Sequence, residues 1–336
     1  MSVSGSRMLG IAVATVLLAG TGLIVWNTLR TRREPDPLGA LFQYRVDRRE
    51  TQSACVLPSP VRLAGEFDTG LSGIEALASG PDGQVAAAGD GRVVILGTNG
   101  LPSATWAVNA VVRGLAFASN GVWAGIGGHV VHWTATGRLE WQTSDYASNA
   151  VITSVALAGD RLVVADAGVR AVYLCNVTGG VEKVIGRYVG EHGGEGFVIP
   201  SPHFDVAMAP DGLLRVANPG RHRIEAYTAG GEFELAWGQA SMAIEGFCGC
   251  CNPAHFAVLS DGSFVTSEKG LRRVKTYDAA GRFTGVILGT DALGGGPDDC
   301  SRGPAPCAVA VDGRGRILIA MPGGGKVRAY ERKEQR

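Results

Sequence analysis

The sequence carries no surplus of charge of either sign. Lys and Arg together number 31, Asp and Glu 31, and charged residues make up only 18% of the 336. A chain so balanced has nothing with which to attract nucleic acid, and no nucleic-acid partner is expected. Long charged or low-complexity runs are also missing, which excludes a disordered body. The short motifs of common enzymes are absent too: no G-x-S-x-G, Walker loop, H-E-x-x-H or calcium loop occurs. A non-enzymatic role is therefore the first expectation. What the sequence has in plenty is glycine, 50 residues, with a hydrophobic fraction of 46%. That pairing favours many tight turns around a sizeable core over long helices.

The N-terminus differs from the rest. Residues 8–29, MLGIAVATVLLAGTGLIVWNTL, run without a charge, long enough as a helix to cross a hydrocarbon core of about 30 Å. A single-pass transmembrane anchor is expected there, behind a short tail at 1–7. No clear small-x-small site ends the run, which argues against a cleaved signal peptide. Residues 30–58 read as a linker, with REPDP at 33–37. Arg30, Arg32 and Arg33 follow the span while only Arg7 precedes it, a bias that favours a cytoplasmic body. Clustered cysteines favour the other side, where disulfides persist, and an extracytoplasmic body is the expectation.

From about residue 70 the chain repeats one phrase. Six turn pairs, Asp82-Gly83, Asn120-Gly121, Gly159-Asp160, Asp211-Gly212, Asp261-Gly262 and Arg314-Gly315, suit the positive φ of hairpins. A second glycine follows each by seven to ten residues: Gly91, Gly128, Gly168, Gly220, Gly270 and Gly325. After it comes a strand-like run: RVVIL (92–96), VVHW (130–133), AVYLC (171–175), RIEAY (223–227), RVKTY (273–277) or KVRAY (326–330). Their alternation reads as half-buried strands. Further strands follow in four units, as in GEFELAWG (231–238) and GRFTGVILG (281–289). Four antiparallel strands per unit make an all-β chain of six propeller blades over residues 59–331, with a polar tail at 332–336. The sixth unit has no outer strand of its own, and SPVRLAGEFDT (59–69) is expected to supply it and close the ring.

Two units, FDVAMAPDGLLRVANPGRHRIEAYTAGGEFELAWG (204–238) and HFAVLSDGSFVTSEKGLRRVKTYDAAGRF (255–283), resemble the NHL-repeat family. The resemblance implies a six-bladed β-propeller, and binding more often than catalysis.

The second residues of successive turn pairs lie 38, 39, 52, 50 and 53 apart, so three blade-to-blade loops are long: 187–203, 239–255 and 290–307. In an up-and-down blade these share a face with the loops between second and third strands. Long loops on a rigid scaffold are where binding is usually placed. This face collects His192, His203, Asp205, Arg221, His222, Lys269, Arg272 and Arg273 as ligand-binding candidates, for a protein or small-molecule partner. It also gathers Cys248, Cys250, Cys251, His255, Cys300 and Cys307.

For that cluster, structural disulfides are one reading, with loop 239–255 tied to 290–307 through Cys300 and Cys307. Adjacent Cys250 and Cys251 are not expected to bond to each other, because the intervening peptide would be strained. The rival reading is a metal ion or iron–sulfur cluster at the Cys and His side chains, in a redox or lyase protein. It needs four converging ligands, and the C-x-C-C spacing matches no zinc pattern. No cofactor is the leading expectation. A second metal position would be the channel mouth, where Asp205 and His255 occupy the same repeat position near His203, against Ala76, Gly114 and Ser154 in the first three units.

Overall fold

Six four-stranded antiparallel sheets follow one another along the chain in the computed structural model. It describes residues 59–186, 196–294 and 305–333, all within the larger of two compact units, Val46–Arg336. The expected anchor at 8–29, the linker, and the candidates His192 and Cys300 lie outside the described residues. Among the described residues no helix is long and apolar enough to cross a membrane.

Blades one to three run Ala76–Ala107, Val112–Gln142 and Ile152–Ile185, counted from first strand to last. Blade four consists of Val206–Met208, Leu214–Asn218, Arg223–Tyr227 and Phe233–Trp237. Blade five consists of His255–Val258, Phe264–Glu268, Arg273–Tyr277 and Phe283–Leu288. Blade six takes three strands from the C-terminal end, Val309–Val311, Ile317–Ala320 and Lys326–Arg332. Its outer strand is Val61–Asp68, antiparallel to Lys326–Arg332. Both ends of the propeller therefore meet in one sheet, leaving no open edge where a ring would split.

All six turn pairs connect first to second strands. Asp82 and Gly83 both take positive φ, 57° and 81°, as the tight hairpin requires. The second glycines separate second from third strands. At Gly325 (φ 59°) a Cβ would lie 1.9 Å from the Leu71 carbonyl oxygen, so this position excludes any side chain on two counts.

The core is a ring of six interblade layers. Alternate residues of one strand feed different layers: Val93 and Ile95 pack toward blade two, Val94 and Leu96 toward blade six. Between blades four and five the layer is aromatic, with Phe247, Phe256, Phe264 and Tyr277. Because each blade is covered on both sides, third strands such as Arg273–Tyr277 are buried along their whole length. The half-buried expectation is thus corrected. A strand between two neighbouring blades has no solvent face, and its polar residues must find partners inside.

Candidate functional site

First strands are the innermost of each blade and begin on the face that carries the blade-to-blade loops. The two loop types do share that face. His222, between second and third strands of blade four, has Nε2 2.7 Å from the Gly249 carbonyl in the loop entering blade five. At their starting ends the first strands frame a small polar cavity of about 110 Å³. Each blade contributes to its lining: Glu75, Arg113, Ser154, Asp205, His255 and Ala308.

Asp205 organises this mouth. Its Oδ1 accepts from Ser154 Oγ at 2.5 Å and from the Val206 amide at 3.0 Å. Its Oδ2 accepts from the Phe256 amide at 3.0 Å and lies 3.5 Å from His255 Nδ1. One carboxylate thus ties blades three, four and five together. Thr153 adds a parallel tie, its hydroxyl donating to the Phe204 carbonyl at 2.7 Å. His203 packs edge-to-face on His255, ring centroids 5.5 Å apart. Burial, then the proximity of His255, Lys269 and Arg113, lowers the His203 imidazole to about 3, with Asp205 opposing. His203 is therefore uncharged at neutral pH, with Lys269 and Arg113 near enough to disfavour its protonation. Among the described residues, the Arg113 and Lys269 side chains pair with no carboxylate.

Loop 239–255 is held from below by blade five. The Glu268 and Arg273 positions face each other in the strand register, with Arg273 Nη2 2.7 Å from Glu268 Oε2. Lys275 Nζ lies 2.6 Å from Glu268 Oε1. All three side chains are buried. Burial would raise the Glu268 carboxyl, but Arg273 and Lys275 outweigh it and hold it below its ordinary value. Lys275 also donates to the Ile244 and Gly246 carbonyls, at 2.9 and 2.6 Å, and Tyr277 donates to the Glu245 carbonyl at 3.0 Å. Further along, Asn252 clasps the loop, donating to the Cys248 and Lys269 carbonyls and accepting from the Lys269 amide at 2.9 Å.

The cysteines separate within this frame. Cys248 is buried, its sulfur 3.4 Å from Arg273 Nη2. Cys251 is buried and Cys250 exposed, with their sulfurs 3.1 Å apart. Cys307 lies elsewhere, in the apolar layer between blades five and six with Val265, Val274 and Leu293. Burial pushes its thiol up to about 11. No disulfide joins two of the described cysteines. Nor do the described residues include a group of three or more His, Cys, Asp or Glu side chains arranged to hold a metal ion. The expected bridge through Cys307 gives way because that residue, two positions ahead of the inner strand Val309–Val311, has its side chain in the core.

Of the basic candidates, Arg273 is withdrawn from the face by Glu268. Arg272 lies on the loops, donating to the Ala305 and Leu293 carbonyls at 2.8 Å each. Arg221 donates to the Gly196 carbonyl at 3.3 Å. The charged lining residues not singled out from sequence are Glu75 and Arg113. Both stand one position ahead of the repeat position shared by Asp205 and His255, and extending the alignment by one residue would have found them.

Many solved structures share this architecture, two lyases among them. One is a catalytically inactive histidine-to-alanine variant of virginiamycin B lyase from Staphylococcus aureus with quinupristin, at 14% identity and TM-score 0.51, covering 76% of this chain and 80% of that one. The other is a streptogramin B lyase, at 11% identity and TM-score 0.54, covering 81% and 98%. Likeness at this identity shows the six-bladed fold alone. No family profile and no curated protein matches the chain.

Proposed function

We propose that the chain is a ligand-binding propeller of NHL-like pattern whose seat is the channel mouth on the loop-rich face, and that the ligand presents a carboxylate. The observation that carries this reading is the charge arrangement there. The Asp205 carboxylate is already committed to Ser154, Val206 and Phe256, and His203 is uncharged. Arg113 lines the mouth beside Glu75 with no carboxylate among the described residues paired to it, while Lys269 lies close enough to act on His203. A guanidinium matches a carboxylate in a paired, planar geometry. The cavity admits a head group of a few heavy atoms, so the rest of the ligand, small molecule or peptide, lies across the long loops. The apolar run at 8–29 would tether the propeller to a membrane as a single-pass anchor, with the body extracytoplasmic.

Calorimetric titration of the full chain with a panel of mono- and dicarboxylates tests the seat. Binding that weakens at least tenfold in Arg113→Met supports it; no binding, or binding indifferent to that change, refutes it.

A second reading, elimination chemistry at the same mouth, is favoured by the proximity of His255 Nδ1 to Asp205 Oδ2. That arrangement could position an imidazole as general base, and the fold neighbours are lyases. Conversion of quinupristin by the wild type but not by His255→Ala would establish it. An unchanged substrate would remove it for that compound.

A further inference from the structure

The paired thiols at Cys250 and Cys251 use none of the hydrogen bonds that build the channel mouth. We propose that they form a redox-active dithiol that closes reversibly to a vicinal disulfide by exchange with a low-molecular-weight disulfide such as oxidised glutathione.

Three observations converge. The sulfurs stand 3.1 Å apart, inside ordinary van der Waals contact, so closure needs a small movement. Cys250 is exposed while Cys251 is buried, which gives one thiol to meet a soluble disulfide and one to resolve the product. The backbone is fixed on both sides of the pair. Before it, His222 contacts the Gly249 carbonyl at 2.7 Å and Asn252 holds the Cys248 carbonyl at 2.7 Å; after it, the Asn252 side chain is itself pinned by the Lys269 amide at 2.9 Å. Gly249 supplies the positive φ of 81° that turns the chain between the clamps.

Adjacent residues have Cα atoms about 3.8 Å apart, below the roughly 4.4–6.8 Å of ordinary disulfides. Strain of that origin makes a disulfide easier to reduce, and strained, exposed bonds are the labile ones. The same geometry that disfavours a permanent structural bond therefore suits a reversible one.

The exchange balances in two steps. The Cys250 thiol loses its proton and attacks one sulfur of the small disulfide, forming a mixed disulfide and releasing one thiolate. Cys251 then loses its proton and attacks Cys250 Sγ, forming the vicinal bond and releasing the second thiolate. Two protein thiols are oxidised, one small disulfide is reduced to two thiols, and the two protons go to the departing thiolates.

The test uses the full chain, reduced and then incubated with oxidised glutathione, followed by alkylation and peptide mass mapping. The expected result is joint loss of alkylation at Cys250 and Cys251, a mass lower by two hydrogens on their shared peptide, and reversal by excess reduced glutathione. In Cys251→Ser, a stable glutathione adduct should accumulate on Cys250. Overturning results are a stable adduct on Cys250 in the wild type, pairing of either residue with another cysteine, or both thiols remaining alkylatable at every glutathione ratio. The wild-type map decides the matter even if the variant fails to fold.

Discussion

Asp205→Asn tests the view that one carboxylate binds three blades together around the channel. The wild-type group accepts from Ser154 at 2.5 Å, Val206 at 3.0 Å and Phe256 at 3.0 Å. Hydrogen bonds to a charged group contribute about 1.5–3 kcal/mol each, against about 0.5–1.5 for neutral pairs. Asparagine keeps one carbonyl oxygen, so either Ser154 and Val206 or Phe256 retains an acceptor, now neutral. The amide nitrogen then faces a donor, and a buried donor left unsatisfied costs about 1–3 kcal/mol. The sum is roughly 3 kcal/mol of lost stability, or a melting shift of about 6–12 °C in a domain of this size. Urea unfolding followed by tryptophan fluorescence reads it, provided the slope with denaturant stays constant. Ser154→Ala alone should cost about 2 kcal/mol, within the range for a bond to a charged group, and it should cost less in the Asp205→Asn background, because the two groups share a bond. A loss below about 0.5 kcal/mol for Asp205→Asn, or strict additivity with Ser154→Ala, would refute the three-blade tie.

Other outcomes follow from the same structure. Lys275→Met should destabilise by about 3 kcal/mol, the low end for breaking a buried ion pair, because burial already lowers the Lys275 ammonium to about 8 and Arg273 remains to neutralise Glu268. Loop 239–255 should then become the first region to lose amide-exchange protection, and unchanged protection of residues 244–246 would contradict its anchoring. His203, held near 3 against an ordinary 6.5, binds more protons unfolded than folded between those values. Stability should therefore fall as pH drops through that window, by about 2 kcal/mol from pH 7 to pH 5. His203→Gln should remove that part of the slope, and an identical slope in both proteins would count against a half-buried imidazole held neutral. Deleting residues 61–68 should abolish cooperative unfolding, since it strips the outer strand from Lys326–Arg332. A melting transition at the wild-type temperature would show the ring holds without it.

The blade pattern was legible because hairpin turns and second-turn glycines are local demands of the backbone. Asp82-Gly83 and Gly325 need positive φ whatever surrounds them, and the spacing between such points measures strand length. The polar interior was not legible. Arg273 and Lys275 alternate with apolar residues as on a solvated strand, yet both faces of that strand are covered. Only the opposing Glu268, on the neighbouring strand, explains how the charges are tolerated. The cysteines were misleading for a related reason. Proximity in sequence placed Cys307 among loop thiols, but two positions ahead of an inner strand its side chain lies in the core. Cys250 and Cys251 are unbonded, as the strain of an adjacent bridge implies, yet the loop brings their sulfurs within 3.1 Å. The channel mouth lay between these cases: Asp205, His203 and His255 stand out in the sequence, while Arg113 and Glu75, one position earlier in the repeat, matter because the six first strands meet around one cavity.

The most direct measurement of the central claim is a crystal structure of the chain with the tightest-binding carboxylate of the panel. The account predicts the carboxylate at the mouth framed by the six first strands, paired with Arg113 and within reach of Lys269. A carboxylate bound elsewhere, with the mouth unchanged, would contradict it.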